Sequence, residues 1–227
     1  MGTMKDGNDT KPEVIRDVLR ESVDSGVEVI TEAVDYSLGK IPNIFDGFPV
    51  AGTLVTILKT YNTIRETIFK KRVLRFLQGC EKYNEQIKEK IQESLTEPEE
   101  KEELAELLII CLEKFENIKK ADILAKLFLA RIYRIISKSE FEQLTLALEK
   151  INYDDVELLV NFYKGYIPNK NEFDTMRTFL SVKLISVDYS GRPETGWLWP
   201  RDGGGAERFL KNNLGETFMK ALNFEPQ

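Results

Sequence analysis

The chain has 227 residues, a formal net charge of −6, two cysteines and no histidine. Without histidine, Ser-His and Cys-His nucleophilic mechanisms are excluded and the commonest zinc ligand is gone. At 42% hydrophobic and 31% charged residues the composition is that of a folded protein of one or two domains, and its acidic balance argues against nucleic acid as a partner.

Residues 1–11 read as a disordered, polar leader without the apolar core of a secretory signal. Pro12 suits the first turn of a helix, and Val14, Val18, Leu19, Val23, Val27, Ile30 and Val34 recur at helical spacing to about Leu38. The stretch LGKIPNIFDGFP, with two prolines and two glycines, predicts a break. A second helix is expected from Pro49 toward Leu77. Its first half, to Ile64, is apolar, with Lys59 its only charge, whereas RETIFKKRVLRF sets Arg65, Lys70, Lys71, Arg72 and Arg75 against Glu66.

Apolar residues at helical spacing then predict helices over 81–95 and 98–115, the second starting near Thr96 and Pro98. Two more follow in IKKADILAKLFLARIYRII and SKSEFEQLTLALEKI, with Ser137 or Ser139 as cap. Cys80 and Cys111 lack CxxC spacing and read as reduced core thiols. Beyond Asn152, a helix ended by Gly165 and Pro168 precedes NEFDTMRTFLSVKL, the strand ISVDY, the turn-rich SGRPETGWLWPRDGGG, a short ERFL strand and a last helix. This is the order of a winged helix. The tail LKNNLGETFMKAL, through Leu210, Leu214, Gly215, Phe218 and Leu222, resembles the closing stretch of many winged-helix domains; Asn212 and Asn213 stand where threonine is usual and can still cap. The expected fold is mainly α: a leader over 1–11, a multi-helix bundle over 12–151 with the apolar segment 41–64, and a winged-helix-like domain with a small β-hairpin over 152–227.

No phosphate-cradling loop, HExxH or spaced cysteine cluster occurs. Asp154 with Asp155 and Glu102 with Glu103 are explained by solvated helix ends, so no catalytic residue, metal or cofactor is assigned. Gly203–Gly205 reads as a wing tip rather than an anion cradle. Trp197 and Trp199 share one face of a strand, either packing on the core or offering an aromatic contact; with Arg201 and Arg177 they are the partner-binding candidates. Arg177 and Lys183 stand beside Glu172 and Asp174, which favours a protein partner over DNA.

The apolar segment has two explanations. A helix apolar all round is ordinarily the core of a bundle. Alternatively, Phe45, Phe48, Val50, Gly52, Leu54, Val55, Ile57 and Leu58 form a membrane-active element: Gly47, Ala51 and Gly52 allow close helix approach, and aromatics stand at its ends. At the lower edge of spanning length, it would act only conditionally. Arg65, Lys70, Lys71, Arg72 and Arg75 would then meet anionic headgroups at about 1 kcal/mol per charge.

IPNIFDGFPVAGTL, IRETIFKKRVLRFL and EKFENIKKADILAKLFLARI together resemble a group of small bacterial and prophage proteins, some of them candidates for phage defence, over residues 35–150. In plan the chain is similar to phage-sensing proteins that oligomerise and open membrane pores. The resemblance carries no active site. It implies a non-enzymatic protein that recognises a protein partner, such as a phage structural protein, forms a homo-oligomer when activated, and moves from the cytoplasm to the inner membrane. The alternative is a cytosolic winged-helix regulator or scaffold binding DNA or a protein, with the apolar segment as core.

Overall fold

The computed structural model describes residues 64–81, 84–188, 199–200 and 206–226. The expected leader, the first helix and the apolar segment up to residue 63 lie outside these residues, as do Trp197 and Arg201. Among the described residues the chain is mainly helical, with eight α-helices and a small antiparallel sheet: α1 Ile64–Glu81, α2 Asn84–Ser94, α3 Pro98–Lys114, α4 Lys120–Ile132, α5 Lys138–Lys150, α6 Val156–Tyr163, α7 Phe173–Ser181, β1 Ser186–Asp188, β2 Trp199–Pro200, β3 Ala206–Leu210 and α8 Asn213–Leu222.

Two compact units, Met1–Ala125 and Lys126–Gln227, divide the chain within α4. In the first, apolar residues at helical spacing on α1 (Val73, Leu74, Phe76, Leu77, Cys80) and α3 (Leu104, Leu108, Cys111, Leu112) are buried. Both cysteines are free and buried, and burial pushes the Cys80 thiol up. A Cβ on Gly79 would stand 2.6 Å from that of Ala125, so glycine there lets α1 and α4 approach closely. Helix α3 begins with Pro98 at its first position; Glu97, not Thr96, occupies the cap and its side chain makes no capping bond. Its other end is closed by Arg72, whose Nη1 donates to the carbonyls of Leu112 at 3.0 Å and Glu113 at 2.8 Å. A guanidinium thereby satisfies two of the acceptors that every helix leaves open at its C-terminus.

The second unit takes in α5, which the sequence pattern groups with the preceding bundle. A capping box starts α5: Glu140 N donates to Ser137 Oγ at 3.2 Å, and Ser137 N to Glu140 Oε2 at 2.7 Å. The other Glu140 oxygen accepts from Thr217 on α8 at 3.3 Å. Phe141, Leu144, Leu148, Leu159, Met176, Phe179 and Phe218 are buried and form this unit's core. Helices α4, α6 and α7 each end in a left-handed residue, Arg134 (φ 57°), Gly165 (φ 102°) and Lys183 (φ 60°). In each, the next amide reaches back five residues: Ile135 to Ala130, Tyr166 to Asn161, and Leu184 to Phe179. These are Schellman closures, with glycine at only one of the three positions.

Strand β3 pairs antiparallel with β1 (Ser186 with Leu210, Val187 with Phe209, Asp188 with Arg208). Its opposite edge pairs with β2 (Trp199 with Glu207, Pro200 with Ala206), giving the order β1-β3-β2. The expected ISVDY and ERFL strands are therefore present and adjacent.

Candidate docking cleft in the C-terminal unit

The turn that ends α6 builds the site. Gly165 sends the chain out of the helix, and residues 166–168 (Tyr-Ile-Pro) run along the surface before Asn169 caps a turn of 3-10 helix at Lys170–Glu172. Glu172 Oε2 accepts from Asn169 N at 2.7 Å and from the Tyr166 hydroxyl at 3.1 Å, which holds the loop to its own cap. Between this loop and β3 lies a cleft of about 520 Å³ lined by Phe162, Tyr166, Ile167, Phe173, Phe209 and Lys211, among others. Phe173 and Phe209 meet edge-on, with ring centroids 5.3 Å apart at 80°. Tyr166 is 44% and Ile167 38% exposed, a high exposure for large apolar side chains placed side by side on one wall.

Hydrogen bonds beneath the cleft hold its two walls. The Tyr163 hydroxyl donates to Leu184 O at 2.7 Å and accepts from Asn212 N at 3.2 Å, while Lys211 Nζ donates to Tyr163 O at 2.8 Å. Asn212 Oδ1 caps α8 by accepting from Gly215 N at 2.9 Å, and its Nδ2 donates to Lys183 O at 3.0 Å. A Cβ at Gly215 would overlap the Tyr163 hydroxyl and the Leu184 carbonyl. The Leu-Gly of the tail thus marks the one place where α8 passes over this network.

Comparison with protein-family models, with curated proteins and with solved structures finds no match.

Of the partner-binding candidates singled out from sequence, only Arg177 has a described side chain, and it is not among the residues lining this cleft. Trp199 lies in β2 but its side chain is outside the described residues, and Arg177 stands exposed on α7, 3.5 Å from Asp174 Oδ1. Phe45, Phe48, Val50, Gly52, Leu54, Val55, Ile57 and Leu58 all fall outside the described residues, as does the Arg65 side chain. Of the basic group on α1, Lys70 is 2% exposed. Burial lowers the Lys71 pKa, and it lowers that of Arg72 against the opposing pull of Glu116 and Glu113. Arg75 Nε pairs with Asp122 at 2.7 Å. Arg72 and Arg75 are thus engaged within their own unit.

No helix among the described residues is long and apolar enough to cross a membrane, and no cluster among them is suited to a metal ion. A second concavity of about 570 Å³ runs along the exposed side of α3 past Pro98, Lys101, Ala105 and Ile110. Among the described residues it is lined by that single helix, with Lys101, Glu102 and Glu106 beside its apolar residues. Tyr166, Ile167 and Phe209 are missed from sequence because Tyr-Ile-Pro after a glycine reads as a helix stop. The available signal is that two large apolar residues occupy a loop, where polar ones are usual.

Proposed function

We propose that the chain is a non-enzymatic recognition protein of bacterial or prophage defence, in which the C-terminal unit binds a protein partner and the response passes to the apolar segment 41–64, through which assembled copies permeabilise a membrane. The observation that supports recognition is the open cleft beside Tyr166 and Ile167, an apolar patch next to cations on an otherwise acidic chain. The effector half rests on the sequence, where an uncharged, glycine-containing run is followed directly by a basic one. Exposing that run costs about 1.5–3 kcal/mol for each large apolar side chain withdrawn from a core. Partner binding and self-association together must supply this energy.

The experiment is propidium uptake in bacteria carrying the gene and challenged with a panel of phages. The chain is compared with a Val55→Asp, Ile57→Asp variant matched for soluble expression. Uptake before lysis that disappears in the variant is the expected result, and protection without uptake removes the membrane step.

A second reading, a cytosolic winged-helix regulator or scaffold, draws on the order α6-α7-β1-β3-α8. Its DNA-binding form is disfavoured by Asp174, which stands within ion-pair distance of Arg177 on α7. That form requires salt-dependent duplex binding that Arg177→Glu with Lys183→Glu abolishes.

A further inference from the structure

We infer that the occupant of the cleft is an acidic peptide segment anchored by an aromatic side chain, an inference that rests on the recognition reading above. The apolar half of the match is the surface formed by Phe162, Phe173 and Phe209 behind the exposed Ile167. A cleft of about 520 Å³ falls inside the roughly 300–1,000 Å³ typical of sites that enclose a ligand. An aromatic anchor uses such a volume best, since it brings the largest apolar area for the least lost rotamer freedom.

The acidic half follows from charge. Lys164 and Lys170 are exposed at the two ends of the lining loop, and Lys211 lines the cleft itself. None of these three has a carboxylate partner among the described residues. Lys211 donates instead to a neutral carbonyl, that of Tyr163. The nearby carboxylate of Glu172, which accepts from Asn169 N and the Tyr166 hydroxyl, sets one acidic group against these three lysines. The cleft therefore has a positive rim on a chain whose net charge is −6. Such a rim attracts acidic partners and repels basic ones. A single-stranded nucleic acid would meet the same cations, but it needs aromatic faces free for stacking. Here Phe173 and Phe209 pack edge-on against each other, and Tyr166 is the one exposed ring of the lining. Stacking of successive bases therefore has little purchase, and the oligo(dT) comparison below tests it.

The test is selection of random 12-residue peptides displayed on phage against the full chain, with counter-selection against an Ile167→Glu variant. Enriched peptides are then synthesised with a fluorophore, and their anisotropy is measured beside a labelled oligo(dT). Ile167 is 38% exposed, and thermal unfolding checks that the variant keeps its fold. The expected pool places an aromatic residue among Asp and Glu. Affinity falls about tenfold or more when the aromatic is changed to Ser, and by a similar factor in Ile167→Glu or in Lys164→Glu with Lys170→Glu. It weakens severalfold between 50 and 300 mM NaCl. Failure to enrich any sequence over the variant, a pool that is neutral or basic, or tighter binding of oligo(dT) overturns the proposal. If the proposal is overturned but Ile167→Glu still abolishes the phage-induced uptake, only the chemistry of the occupant is wrong. If Ile167→Glu changes neither peptide binding nor uptake, recognition through this cleft falls as well.

Discussion

Replacing Gly215 with alanine places a methyl group where the Tyr163 hydroxyl and the Leu184 carbonyl already stand. One of them must move. Displacing the hydroxyl breaks its bond to Leu184 O and loosens the one from Asn212 N, each worth about 1 kcal/mol net. Overpacking adds about 1–3 kcal/mol. Against this, alanine inside a helix gains about 1 kcal/mol over glycine. The balance is a loss of about 3 kcal/mol, with the sign set by the crowding and not by propensity. Tyr163→Phe alone should cost about 1–2 kcal/mol, because it leaves the Leu184 carbonyl without its donor. In the double variant the methyl no longer meets a hydroxyl, so the combined loss falls short of the sum by about 1 kcal/mol, as expected for contacting residues. Urea unfolding of the full chain, followed by tryptophan fluorescence, reads this out, since both tryptophans, Trp197 and Trp199, belong to the C-terminal unit. A Gly215→Ala protein as stable as the parent, or strictly additive losses, would refute the packing described for α8.

Arg72→Met should cost about 1–2 kcal/mol in far-UV urea titrations, because it leaves the Leu112 and Glu113 carbonyls uncapped. Lys183→Gly should raise stability by about 0.5–1 kcal/mol, since relief of the left-handed backbone outweighs the added chain entropy of glycine, whereas Gly165→Ala should lower it by about 1 kcal/mol. The hydrogen bonds from Ser137 N, Ser137 Oγ and Thr217 hold the Glu140 carboxyl below its ordinary value. Because the folded pKa is depressed, its stabilisation is present above the unfolded value, about 4.3, and is lost as pH falls through the folded one. Glu140→Gln should therefore flatten the acid side of the stability-pH curve, and an unchanged acid limb would count against the capping box.

The helices and two main strands were legible because each is written by local rules. Ser137 with Glu140, Pro98, Gly165 and Asn212 mark ends through backbone geometry and capping, and Leu104, Leu108, Cys111 and Leu112 repeat on one helical face. Local rules missed the left-handed turns at Arg134 and Lys183, where tertiary packing imposes a backbone that glycine would ordinarily adopt. Nor do they show the intramolecular partners of the basic run on α1: Arg72 and Arg75 find acceptors 40 and 47 positions away, a pairing that no window of sequence displays. The cleft was hidden for the same reason: Ile167 and Phe209 lie in a loop and a short strand far apart in sequence, and only the pairing of β3 with β1 brings them to one surface.

The central claim is that a partner recognised at the cleft triggers the membrane response. The most direct measurement is the time course of propidium entry in phage-challenged cells expressing the parent chain, Ile167→Glu, or Ile110→Glu, the last placing the same charge on a comparably exposed isoleucine of α3. All three are checked for equal soluble expression. Early uptake with the parent chain and Ile110→Glu but none with Ile167→Glu is the predicted result; equal uptake in all three contradicts the claim.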